Sequence, residues 1–158
     1  MGVFSAKIVA EFTPPKTWIL EEPLSFVTKL MNKEIKLLKD IGANVKDGGR
    51  GKGSITCEKG MKTDLASTPR ILWNLIAPWD VARAAIIHDH LYAVLRSYYK
   101  DKLNNGTWSY ATWKEGKDLA DKVFLDGMLS AEPSVPKWKI YPAYWAVRLF
   151  GRKPASTG

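Results

Sequence analysis

The prevailing hydrophobic period of the chain changes near Asp64, and that change constrains the fold more than any other feature. Before it, runs such as AKIVAEF (6–12) and TWILEEPLSFV (17–27) are rich in β-branched and aromatic residues and are broken by Pro14-Pro15 and Pro23. Runs of this kind favour short strands. After it, apolar residues recur at three and four positions, the spacing of one face of a helix. Separating the two periods in this way predicts an α+β fold, with a small N-terminal antiparallel sheet followed by a mostly helical remainder of three to four helices. A length of 158 residues suits one domain with a real core. That domain is expected over residues 1–151, mainly β over 1–64 with an inserted loop near 29–53, and mainly helical over 65–151. Residues 152–158 read as a basic tail.

Individual elements follow from the same patterns. MNKEIKLLKDIGANV (31–45) fits a short helix through Ile35, Leu38 and Ile41, while its ends resemble strand. KDGGRGKGS (46–54) reads as a flexible hairpin tip, because Gly51-Lys52 is followed by Gly53 and not by the Ser or Thr of a phosphate-binding loop. SITCEKGMKTD (54–64) alternates and reads as one strand that delivers Asp64 at its end. Ser67 or Thr68 caps a short helix with Pro69 in its first turn. A longer helix is predicted from about Asp80 to Tyr99, with Val81, Ala84, Ala85, His88, Leu91, Tyr92, Leu95 and Tyr99 on its apolar stripe. Thr112 and Glu115 have the spacing of a capping box that opens a third helix. The segment 137–151 forms a last one, kinked or interrupted at Pro142.

Polar residues inside these apolar patterns are the candidate site. His88 falls on the stripe of the long helix and Asp89 lies about 100° around from it. A buried carboxylate is rare unless it is paired or bound to a cation. Asp121 flanks the stripe of the third helix, and Asp64 stands at a strand end. Asp118 and Asp126 read as surface charges and His90 as solvent-facing. Asp64, His88, Asp89 and Asp121 would together make a nitrogen and oxygen site suited to Zn, Mn, Mg or Ca. Arg70 could pair with one of these carboxylates or bind an anion. The plain alternative is that His88 is a satisfied core histidine and Asp64 bonds turn amides.

Charge and composition narrow the partners. The net charge of +8 favours acidic partners such as nucleic acid, anionic lipid or anionic cell-wall polymer. Cys57 is the only cysteine, so an internal disulfide is excluded. No apolar run reaches the roughly 18 residues of a membrane span, and the N-terminus lacks the pattern of a secretory signal.

Two stretches carry a resemblance. TDLASTPRILWNLIAPW (63–79) with ARAAIIHDHLY (82–92) resembles the phage and prophage family called domain of unknown function 1353, as do Ala120-Asp121-Lys122-Val123-Phe124 and YWAVRLFG (144–151). The resemblance runs from about Ser54 to Gly151 and implies a phage origin. Its motifs fall on Asp64, Ser67, Pro69, Arg70, His88, Asp89, Tyr92 and Asp121. HDHLY is also similar to the His-Asp-x-x-Tyr of secreted phospholipases A2, where His is the base and Asp a calcium ligand.

Two functions from different classes are therefore expected. One is a metal-dependent hydrolase acting on an ester, amide or phosphoryl bond of a cell-wall or nucleotide substrate. There His88 or Asp89 is the base, Arg70 stabilises negative charge, and a divalent cation sits among Asp64, His88, Asp89 and Asp121. The other is a non-catalytic virion or tail component, or a binding module, that contacts other virion proteins. In it the same residues form a structural network, and Trp108, Tyr110, Trp113 and Trp138 form a docking surface. Either places the protein in the host cytoplasm during infection, with incorporation in the virion as a further expectation.

Overall fold

The computed structural model of the protein describes residues 2–5, 8, 10–13, 17–63, 81–132 and 134–150. Strands β1 (Val3–Phe4), β2 (Ala10–Thr13), β3 (Thr17–Leu20) and β4 (Leu24–Lys29) precede α1 (Asn32–Ile41). Then come β5 (Val45–Gly49), β6 (Lys52–Cys57), β7 (Lys62–Thr63), α2 (Ala82–Asn104), α3 (Tyr110–Leu129) and α4 (Lys137–Phe150). The α+β architecture is as the change of period predicts. One antiparallel sheet has the order β1-β4-β6-β5 and the other β2-β3-β7.

Alternation sets the main sheet. Leu24, Phe26 and Thr28 of β4 are buried, and so are their register partners Cys57, Ile55 and Gly53 of β6. Side chains two apart share a face, so one face of both strands enters the core. β4 and β6 pair directly, and α1 and β5 occupy the chain between them. Ile35, Leu38 and Ile41 bury one side of α1. Gly42 ends it at φ +100, a left-handed conformation that glycine adopts without steric cost.

Two expectations in the β region need correction. The glycine-rich segment 46–54 is a hairpin as expected, but β5 and β6 pair as far as Gly49 and Lys52, so its tip is Arg50-Gly51 and not the whole segment. Hydrogen bonding to β6, which is itself anchored on β4, supplies what the strand propensity of Asp and Gly lacks. The expected strand 54–64 is two strands in different sheets. A turn between them is fastened to Leu20, whose amide donates to the Met61 carbonyl and whose carbonyl accepts from Gly60.

The helical half holds two apolar clusters. The larger joins the main sheet and α1 to Leu91, Tyr92 and Leu95 of α2 and Leu119 and Val123 of α3. The second joins Val81, Ala84 and Ala85 to Phe124 and Met128 of α3 and to Ile140, Ala143 and Val147 of α4. The predicted stripe Val81, Ala84, Ala85, Leu91 and Leu95 is thus core. Helix α3 opens earlier than Thr112: Ser109 is its cap, and the Ser109 side chain accepts from the Thr112 amide. Helix α4 runs through Pro142 without interruption. Pro142 is exposed, which leaves the carbonyl it cannot bond within reach of water. The short helix expected after Ser67 lies outside the described residues.

Candidate functional site

His88 sits between the two clusters, its ring 4.0 Å from that of Tyr92 in the larger and 4.7 Å from that of Phe124 in the second. Tyr92 follows His88 by one helical turn, so both reach the same face of α3. They meet Asp121 there. His88 Nε2 lies 2.8 Å from Asp121 Oδ1, and the Tyr92 hydroxyl donates to the same oxygen at 2.5 Å. Both His88 and Asp121 are 0% exposed.

The other oxygen of Asp121 is held by cations. Lys117, one turn earlier on α3 and itself buried, donates to Oδ2 at 2.8 Å. Arg148 of α4 donates to Oδ2 at 2.9 Å. Arg148 also reaches Asp118 at 2.8 Å, and Lys114 closes the chain by pairing with Asp118 at 2.8 Å. Asp121 therefore ties α2, α3 and α4 together through four donors. A cavity of about 440 Å³ opens beside this array, lined by Tyr110, Trp113, Lys114, Lys117, Asp118 and Arg148.

The electrostatics follow from the geometry. Burial alone would raise the Asp121 carboxyl, but the hydrogen bond and charge of His88, with hydrogen bonds from Lys117 and Tyr92, outweigh it and hold the group at about 2. Burial and the Asp121 charge push the Tyr92 phenol far above its ordinary range. For Arg148, the bonds to Asp121 and Asp118 outweigh burial and raise the guanidinium further. Asp118 moves down, since Lys114 and Arg148 overcome its partial burial. An ionised carboxylate only accepts hydrogen bonds. With Asp121 ionised, the proton of the His88–Asp121 bond resides on Nε2.

Asp89, buried on the next position of α2, belongs to a different contact: the Thr63 hydroxyl of β7 donates to Asp89 Oδ2. The structure thus joins His88 to Asp121 and places Asp89 against the end of β7. Asp64 and Arg70 lie outside the described residues. Among the described residues no three His, Cys, Asp or Glu side chains form a group that could hold a metal ion. Cys57, whose thiol donates to the Ile86 carbonyl at 3.8 Å, is pushed by burial and by Asp89 up to about 12.

Several residues depart from their expected roles. His90 is half-buried and accepts the Asn44 amide at 3.4 Å; burial lowers its pKa more than Glu58 raises it. Asp118 is a member of the network, and Asp126 is half-buried and accepts from Thr28. Lys117 and Arg148 were missed as site residues. For Lys117 a signal existed, because Lys114-Asp118 and Lys117-Asp121 are two successive four-residue pairs on one helix. For Arg148 no local spacing did, since its partners are about 30 residues away on another helix; its signal was its place in YWAVRLFG (144–151), a stretch that carries the resemblance.

These features define an α+β protein whose helices converge on a buried histidine and a cation-held carboxylate. The family model for proteins of unknown function called DUF1353 matches residues 42–147, spanning β5 to α4. The chain belongs to that family. No curated protein and no solved structure matches it.

Proposed function

We propose that the protein is a phage-encoded hydrolase in which His88 is the base and Asp121 holds it. The observation that carries this reading is the buried His88 Nε2–Asp121 bond at 2.8 Å. A carboxylate on one ring nitrogen fixes the tautomer and makes the other nitrogen more basic. Lys117 and Arg148 keep Asp121 ionised, so it stabilises an imidazolium without taking the proton itself. Asp121, saturated by four donors, serves here as the orienting group. Asp89, which accepts from Thr63, and Asp64, the residue after Thr63, are the carboxylates that would hold a divalent cation (Zn, Mn, Mg or Ca). Such an ion, when bound, supplies Lewis acidity toward an ester, amide or phosphoryl oxygen. Arg70 would neutralise developing negative charge. The net charge of +8 suits an anionic cell-wall or nucleotide substrate. The phage origin rests on the resemblance of the motifs.

One observation favours the non-catalytic reading, a virion or tail component or binding module. Asp121 uses all of its acceptor positions on three helices of the protein itself, as a purely structural network would. Asp89→Asn separates the two. In the hydrolase, the variant loses bound metal and keeps its fold, and chelator lowers the melting temperature of wild type only. Without metal the variant is as stable as wild type or more so, because close carboxylates repel when no cation is present. In a structural network with Arg70 as counter-charge, the variant loses about 3–5 kcal/mol whether or not chelator is present. Metal analysis and thermal melts of both proteins, with and without chelator, read the difference. A chelator-insensitive wild type with a strongly destabilised variant would sink the metal-dependent hydrolase.

A further inference from the structure

Helix α4 has two opposed apolar faces, and only one is covered. Ile140, Ala143 and Val147 are buried against α2 and α3. On the other side Trp138, Tyr141, Trp145 and Leu149 are 65%, 42%, 59% and 55% exposed. At about 100° per residue these four fall within an arc of roughly 80°. The side chains turned outward are thus larger than most of those turned inward, the reverse of an ordinary surface helix.

Lys137 and Lys139 lie at the N-terminal end of that stripe, and α4 contains no Asp or Glu; Arg148, near its other end, is turned to Asp118 and Asp121. The Lys139 ammonium lies 5.4 Å from the centre of the Trp138 ring, so a cation accompanies the aromatic edge. Tryptophan and tyrosine are the residues that settle at the boundary of headgroups and acyl chains, and cations beside them favour anionic headgroups. A helix of 14 residues is only about 21 Å long, too short for a hydrocarbon core of about 30 Å. It suits a helix lying in the plane of the surface.

We propose that α4 docks the protein flat on an anionic lipid surface, with Trp138, Tyr141, Trp145 and Leu149 entering the interface and Lys137 and Lys139 flanking them. This does not rest on the hydrolase reading: Arg148 is the α4 residue that bonds Asp121, and the substitutions below leave it in place. Flotation of the full chain with phosphatidylglycerol-rich vesicles and with pure phosphatidylcholine vesicles tests it. Binding to the anionic vesicles, weakened by salt and at least about tenfold by the double substitution Trp145→Ser and Leu149→Ser, is expected. Both side chains are exposed, and circular dichroism verifies that the variant is folded. Equal binding to both vesicles, or anionic binding that the double variant retains, overturns the proposal. So does failure to bind either vesicle, including the case where the substitution instead abolishes self-association, which would mark the face as a contact between copies of the chain.

Discussion

Asp121 is the residue on which the described site turns. A carboxylate with no exposure to water is unfavourable unless its charge is matched, and here two cations, a phenol and an imidazole match it. Asp121→Asn would leave Lys117 and Arg148 without their shared anion and should cost about 3–5 kcal/mol in denaturant unfolding. The pH dependence has a definite sign. The Asp121 carboxyl is held at about 2 in the folded protein against 3.8 in an unperturbed chain. Ionised Asp121 therefore contributes stability that is complete above about pH 4 and lost as pH falls toward about 2, to the extent of about 2 kcal/mol. Acid unfolding of wild type should show this slope, and Asp121→Asn should lack it; identical slopes would contradict the pairing. At this scale the sequence marked His88, Asp89, Tyr92 and Asp121, since polar groups on or beside apolar stripes are visible in one dimension, and all four are buried. It did not reveal which of them meet. His88 and Asp89 are adjacent in sequence yet face different elements, and the Arg148 that completes the network comes from a helix with no acidic neighbour.

Among the elements, the crossing of α2 and α3 sets how closely the site is drawn together. Gly127 lets the helices touch: a Cβ there would lie 2.8 Å from the Ala84 Cβ and 3.3 Å from its Cα. A Cβ at Gly116 would instead meet the Leu95 Cδ2 at 2.6 Å, the far end of a side chain that can rotate. Alanine gains up to about 1 kcal/mol of helix propensity over glycine at either position. Gly127→Ala should nevertheless lose about 1–3 kcal/mol by forcing the helices apart, while Gly116→Ala stays within about 1 kcal/mol of wild type. Urea midpoints of the two variants compare them, and equal losses would argue against a tight crossing at Gly127. Element type was legible wherever the period was long, as in α2 and α3. It failed where pairing overrides local preference, as in β5, and where a strand changes sheet, as between β6 and β7. The start of α3 was misplaced because Thr112 and Glu115 imitate a capping box one turn inside the helix that Ser109 caps.

Over the whole molecule, two apolar clusters are bridged by polar contacts from three helices, with Phe4 packed against both clusters. No described helix is long and apolar enough to cross a membrane. The α+β division was legible because, apart from α1, the strand period precedes Asp64 and the helical period follows it. The convergence of α2, α3 and α4 on Asp121 was not, because it depends on tertiary docking that no local pattern encodes. The proposed role of His88 rests on that convergence, since an ionised Asp121 can only accept a hydrogen bond from Nε2. The tautomer of His88 is therefore the most direct test. With His88 and His90 the only histidines, a long-range proton–nitrogen NMR spectrum of the imidazoles, assigned with a His90→Asn variant, reads it at neutral pH. An Nε2–H tautomer for His88 is the predicted result. An Nδ1–H tautomer would contradict it, because His88 would then have no proton to share with Asp121 and no lone pair at Nδ1 with which to act as a base.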